Sequence, residues 1–208
     1  KYMFSCNSVD DCISGILWWS DPVIFGKYPE DGLKVCEVYM PKVTKEDMEL
    51  IHQPIDFYCQ NIYQGNIIRA DENGRAPGYN KNSMRWPITP QCLYWGPKFL
   101  YERYNLPFFI SENGMPSLDF VSEDGAVHDA PRIDFLKRHL SEYERAAQDG
   151  ADIAGYFEWS LLDNFEWAFG YSERFGLIYV DYVTQKRIIK DSGRWYGEFI
   201  KKNTGENK

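Results

Sequence analysis

Phe108-Phe109-Ile110-Ser111-Glu112-Asn113-Gly114 is an apolar run that ends on a carboxylate and a turn-forming pair. Pro107 to Ile110 is short and continuously apolar, which reads as a buried strand. Asn113-Gly114 lets the chain turn sharply after it. Further on, Asp129-Ala130-Pro131 opens the clearest helix, with Ile133, Leu136, Leu140, Tyr143 and Ala147 on one face and Gly150 as its stop. Ile153 to Phe157 reads as the next buried strand, and Ile55 to Cys59 as an earlier one. Helices alternating with continuous apolar strands predict an α/β fold, a parallel sheet with helices packed outside it. Loops after the strands are long and those leading into them short. That asymmetry suits a (β/α) barrel, whose chemistry sits on the loops after the strands. Three core strands are visible where a closed barrel has eight, and three alone would leave two bare edges. The sequence therefore predicts about half a barrel.

The remaining segments fit that frame. Ser8 resembles a helix cap, and residues 8–19 read as a helix stopped by Asp21-Pro22. Residues 20–45 look irregular, and Thr44 caps a short helix over 45–51. Glu72-Asn73-Gly74-Arg75 suggests a hairpin turn in a polar stretch. Thr89-Pro90 opens a helix with Leu93, Leu100 and Tyr104 on one face, which Gly96-Pro97 should kink or restart. Ser192 caps a last helix whose inner face includes Trp195 and Phe199.

Composition narrows the function classes. With 208 residues and 44% hydrophobic content, the chain can bury a real core. A formal net charge of −8 without a long basic run disfavours nucleic acid and anionic membranes as partners. No apolar run is long enough to span a bilayer. Lys1-Tyr2-Met3-Phe4-Ser5-Cys6 does not read as a signal peptide; it looks like the tail of an element begun elsewhere. Five cysteines without a CxxC pair predict reduced thiols in a cytoplasmic protein. His52, His128 and His139 lack metal-ligand spacing and the glycines form no phosphate loop, so neither metal nor cofactor is expected.

Two clusters can carry chemistry. Glu112, just past a strand on the catalytic face of a barrel, is placed to act as nucleophile or base, though it could equally cap a loop or pair with an arginine. The second is Trp159-Ser160-Leu161-Leu162-Asp163-Asn164-Phe165-Glu166-Trp167, an acid flanked by indoles after the next strand. Aromatic residues make up 17% of the chain. Sugar rings stack their C–H faces on aromatic planes while carboxylates bind their hydroxyls, so the cluster suits a carbohydrate; the plainer alternative is a structural clamp.

Ile110-Ser111-Glu112-Asn113-Gly114 resembles the nucleophile signature of family 1 glycoside hydrolases. Trp159 through Trp167, continuing to Arg174-Phe175-Gly176-Leu177 and Val180-Asp181-Tyr182, resembles that family's last strand and following loop. The resemblance implies a chain covering the C-terminal half, about strands 6–8, of a (β/α)8 TIM barrel, with residues 1–208 forming one partial glycosidase domain. Glu112 would then be the nucleophile, and Asn61-Ile62-Tyr63 would match the end of the sixth strand, with Tyr63 donating to Glu112. Ile62 departs from the family's tyrosine and should point away from the site. Trp86 would line the leaving-group side. Trp159, Glu166 and Trp167 would bind the glycone, and Phe175 would close the far wall. Members acting on 6-phosphorylated sugars replace the acid at Glu166, so a carboxylate there implies an unphosphorylated β-glucoside or β-galactoside, or a small oligosaccharide.

The implied reaction is retention through a covalent glycosyl-enzyme, with two carboxyls about 5–5.5 Å apart. The family's acid/base glutamate lies in an Asn-Glu-Pro motif on the fourth strand, and this sequence has no Asn-Glu-Pro. The expectation is a fragment, inactive alone, whose partner is the complementary N-terminal half of the barrel. The alternative is a non-catalytic half-barrel that binds sugar or assembles with a complementary chain.

Overall fold

Three parallel strands lie side by side in the order β1 (Tyr58–Asn61), β2 (Phe108–Asn113) and β3 (Ile153–Glu158). The computed structural model describes residues 8–66 and 80–204. The chain divides into two compact units, residues 1–56 and residues 57–208.

The first unit is helical. It holds α1 (Val9–Ser14), α2 (Ile16–Phe25) and α3 (Glu30–Cys36), packed around Cys12, Trp18 and Cys36, and α4 (Lys45–Ile51). Thr44 caps α4 as expected, its hydroxyl accepting from Asp47 N while Asp47 accepts from Thr44 N. Asp21-Pro22 does not stop the helix. The break falls at Gly15, and α2 runs through Pro22 to Gly26, whose left-handed backbone (φ 67°) ends it. Burial of Leu17, Trp18 and Pro22 outweighs the one backbone hydrogen bond that proline removes. The stretch expected to be irregular contains α3, begun by Glu30 and Asp31 in its first turn.

In the second unit, α5 (Cys92–Tyr104), α6 (Ala130–Gln148) and α7 (Asp191–Thr204) accompany the sheet. One sheet face is covered: Phe108 and Ile110 are fully buried, and the Tyr143 hydroxyl of α6 donates to Phe108 O at 3.1 Å and Gly155 O at 2.8 Å. The other face is open. Phe57 and Phe109 meet edge to face there, and Phe57 and Phe157 remain 50% and 60% exposed. The strands are thus buried on one side, not on both as their continuous apolar runs suggest.

Several boundaries differ from the sequence reading. The first strand begins at Tyr58, where its N–H reaches Pro107 O at 2.8 Å, and runs to Asn61. The second extends through Glu112 to Asn113. Thr89 does not cap α5; its hydroxyl accepts from Gly65 N at 2.8 Å, and the helix starts after Gln91. Gly96-Pro97 leaves α5 unbroken, since both residues are buried and a Cβ on Gly96 would lie 2.9 Å from Ile62 Cδ1. The buried face of α6 carries Arg132 and His139, while Ala147 is exposed. Ser192 lies within α7, giving its hydroxyl and N–H to Asp129. A hairpin of β4 (Ile178–Val180) and β5 (Arg187–Ile189) was not foreseen. The suggested turn at 72–75 lies outside the described residues.

A buried ionic cluster ties the loops after β2 and β3 to the starts of α6 and α7. Arg132 reaches Asp129, Asp119 (2.7 Å) and the carbonyls of Met115 and Arg174. Lys190 joins Asp119 (2.5 Å) to Asp163 (2.8 Å), and Asp163 also takes Arg174 at 2.6 Å and the backbone N–H of Gly176 and Val180. Three carboxylates thus balance three cations. Unpaired, any one of these charges would be costly to bury.

Candidate active site

The end of β2 aims the carboxylate. Cys59 and Gln60 pair with Phe109 and Ile110, but Asn61 pairs with Glu112, so one residue of β2 is skipped between them. Such a bulge re-aims the next side chain. Glu112 therefore comes opposite Asn61, whose Oδ1 accepts from the Ser111 hydroxyl at 2.7 Å. Asn113 turns inward and is fully buried, its Nδ2 donating to Ile62 O at 2.8 Å and its Oδ1 accepting from Tyr156 at 2.8 Å. Directly after it, a Cβ on Gly114 would stand 1.9 Å from the carbonyl oxygen of Trp159, so only glycine fits. Trp159 N in turn donates to Asn113 O at 2.9 Å. The two strand-end loops are thereby pinned together.

Tyr63 donates its hydroxyl proton to Glu112 Oε2 at 2.6 Å. Burial, followed by this hydrogen bond and the negative charge of Glu112, pushes the phenol far above its ordinary pKa, so it stays a donor. Ile62, between Asn61 and Tyr63, turns toward Gly96 of α5 and away from the carboxylate.

Around this pair, Tyr63, Trp86 and Phe175 form a triangle of rings with centroids 5.6, 6.1 and 6.2 Å apart. Phe175 is buried, whereas Tyr63 and Trp86 are half-buried. Glu166 is buried as well, its N–H donating to Gly170 O at 2.6 Å. Desolvation first, then the fields of Glu112 and Glu173, raise the Glu166 carboxyl above its usual range. The structure therefore brings Asn61, Tyr63, Trp86, Glu112, Glu166 and Phe175 to one side of the strand ends. Trp159 joins them through its backbone. Trp167 does not join the ring cluster: at φ 41° on a short 3₁₀ turn, its side chain is 83% exposed.

The sequence profile of "Glycosyl hydrolase family 1" matches residues 11–205. The chain belongs to glycosyl hydrolase family 1. Among family 1 relatives, Beta-glucosidase A of Thermotoga maritima is 47% identical over 190 residues, covering 88% of this chain and 43% of that protein. Beta-glucosidase A of Acetivibrio thermocellus is 42% identical over 201 residues, 89% of this chain and 44% of that protein. The solved family 1 β-glucosidase from Thermotoga maritima superposes with a TM-score of 0.85 at 44% identity, over 93% of this chain and 45% of that one. A structure of the Thermotoga maritima enzyme in complex with deoxynojirimycin superposes equally well. The chain spans less than half the length of the curated relatives it matches. Its three parallel strands and outer helices are a portion of a family 1 (β/α)8 barrel.

Three features escaped the sequence reading. Glu158 is one: both of its carboxyl oxygens are buried without a hydrogen-bond partner among the described residues. Alternation along β3 was the available signal, since Tyr156 and Glu158 share the covered face. Glu173 and Ser83, which bond to each other, are the second. No spacing could have linked positions so far apart. The ionic cluster around Asp119, Asp129 and Asp163 is the third. Asp181 caps the β4–β5 turn, accepting from Val183 N and Thr184 N. Among the histidines, His128 bonds Asp191 and Asp124, while buried His139 has its pKa lowered to about 4 by desolvation. Among the described residues no group of three or more His, Cys, Asp or Glu could hold a metal, and no helix is long and apolar enough to cross a membrane.

Proposed function

We propose that this chain is the nucleophile-bearing portion of a retaining β-glycosidase acting on unphosphorylated β-glucosides or β-galactosides. The observation that carries the reading is the 2.6 Å hydrogen bond from Tyr63 to Glu112 at a strand end, with Trp86, Phe175 and Glu166 around it. With Tyr63 held on Oε2, Oε1 of Glu112 is the oxygen that attacks the anomeric carbon. The bond to the leaving oxygen breaks as an acid protonates it, and a glycosyl ester forms on Glu112. Water, activated by the same group acting as base, then releases the sugar. Glu166 receives sugar hydroxyls, and its negative field turns away a 6-phosphate. Trp159 and Trp167 contribute indole faces once the open side of the pocket is covered.

The acid/base carboxylate, the remaining sugar ligands and the cover for Phe57 and Phe157 come from the complementary N-terminal half of the barrel. Residues 1–208 then complete one glycosidase domain, active only with that half. Cys12, Cys36, Cys59 and Cys92 form no disulfide, which suits a cytoplasmic setting. The test joins this chain to its N-terminal half and exposes it to a 2-deoxy-2-fluoro-β-glucoside with a good leaving group. Mass spectrometry should find one fluoroglycosyl adduct, on the peptide holding Glu112. Saturable sugar binding without an adduct would replace the enzyme by a sugar-binding half-barrel. Preference for a 6-phosphoglycoside would remove the assigned role of Glu166.

A further inference from the structure

Glu173 is a buried acid beside the pocket, set between Glu166 and Phe175 in the chain. Its Oε2 accepts the hydroxyl proton of Ser83, a residue of the turn that carries Trp86. That turn is closed by three bonds of 3.0 Å: Arg85 N to Asn82 O, Trp86 N to Asn82 Oδ1 and Asn82 N to Trp86 O. Arg85 adopts a left-handed backbone (φ 62°), uncommon for a residue with a side chain, so the turn gains from being held from outside. The anchor itself is stiff. Arg174, next to Glu173, is fixed by Asp163 at 2.6 Å and Val180 O at 3.0 Å, and Phe175 is buried against Tyr63 and Trp86.

We propose that Glu173 is a positioning residue for the leaving-group side of the pocket: by taking the Ser83 hydroxyl it fixes the Asn82–Trp86 turn and hence the plane of the Trp86 indole. The proposal rests on the reading of the pocket as a β-glycoside site with Trp86 on the leaving-group side. A leaving group large enough to stack on the indole feels this latch. A methyl group does not. If Glu173 served only as a nearby charge, glycosides of both kinds would respond alike.

The test uses the complete barrel and four variants, Ser83→Ala, Ser83→Thr, Glu173→Ala and Glu173→Gln. Subtracting acrylamide quenching of each Trp86→Phe counterpart isolates the fluorescence of that indole, whether or not the protein turns over substrate. Ser83→Ala and Glu173→Ala should raise Trp86 quenching about twofold and the KM for 4-nitrophenyl β-glucoside about tenfold, with kcat within about twofold and the KM for methyl β-glucoside little changed. Ser83→Thr and Glu173→Gln, which keep a donor and an acceptor, should return most of both effects. Unchanged Trp86 quenching, or equal KM rises for the aryl and methyl glycosides, overturns the latch. Absence of the fluoroglycosyl adduct in the wild-type protein, with Trp86 quenching still responding, would instead remove the glycosidase reading and leave the latch standing.

Discussion

Gly114 and Trp159 meet backbone against side-chain space: where Gly114 has only hydrogen, the carbonyl oxygen of Trp159 would stand 1.9 Å from a Cβ. The contact joins the loop that follows Glu112 to the loop that leads to Glu166. Gly114→Ala must push the two apart, at a cost of about 1–3 kcal/mol or more for an added methyl with nowhere to go. Urea unfolding should show the loss, and labelling of Glu112 should slow beyond what the stability change explains. Wild-type stability in the alanine variant would mean the loops part freely.

Tyr63→Phe deletes the donor on Glu112 Oε2 while keeping the ring that packs against Trp86 and Phe175. A hydrogen bond to a charged group contributes about 1.5–3 kcal/mol, so kcat/KM of the complete enzyme should fall on the order of 10- to 100-fold. Most of the fall belongs in kcat if the bond orients the attacking carboxylate. A change confined to KM would contradict that role.

Glu158 makes stability depend on pH with an unusual sign. Burial holds its proton well above the usual carboxylate range, only partly offset by the positive charges of Arg132 and Lys190. The folded state keeps a proton that the unfolded chain releases, so this group's contribution is best below the unfolded value near pH 4 and worsens as pH climbs toward the folded one. Glu158→Leu should flatten that slope and stabilise the protein near neutrality by about 1–3 kcal/mol, the cost of an unsatisfied buried polar group. Denaturation series across pH check it. Parallel profiles for the two proteins would show that Glu158 stays charged at no cost.

Asp163 accepts from Lys190, Arg174 and two backbone N–H groups, all within the cluster that seats the Glu166 loop. Asp163→Asn removes the charge and leaves two cations short of a partner, which should cost about 3–5 kcal/mol. Thermal unfolding measures the loss. Asp181→Asn, at the exposed β4–β5 turn, should cost far less, and equal losses would show that burial of the ionic cluster is not what matters.

The sequence disclosed the parts of this fold that repeat. Apolar runs at Phe108–Ile110 and Ile153–Phe157 and the periodic helix between them gave the parallel α/β order, because strand and helix periods are local properties. Glu112 was legible for the same reason, as a carboxylate at the end of a strand. Glu166 stands out as an acid flanked by indoles after a strand, Tyr63 and Trp86 enter through the resemblance to family 1, and the structure brings the three to the same side of the sheet. What stayed hidden depends on partners distant in the chain. Lys190 is buried among Asp119 and Asp163, which lie 71 and 27 residues away in the chain, and Pro22 and Pro97 continue their helices because burial compensates. The exposure of Trp167 was equally beyond reach, since it follows from a turn at φ 41° rather than from composition.

Phe57 and Phe157 look outward from the strand face that Glu112 borders. Aromatic rows of that kind adhere to each other as readily as to a proper neighbour. Cells producing these residues without a companion would be expected to store them as insoluble deposits, and dispersal on co-production would announce a closed sugar pocket before any substrate was added.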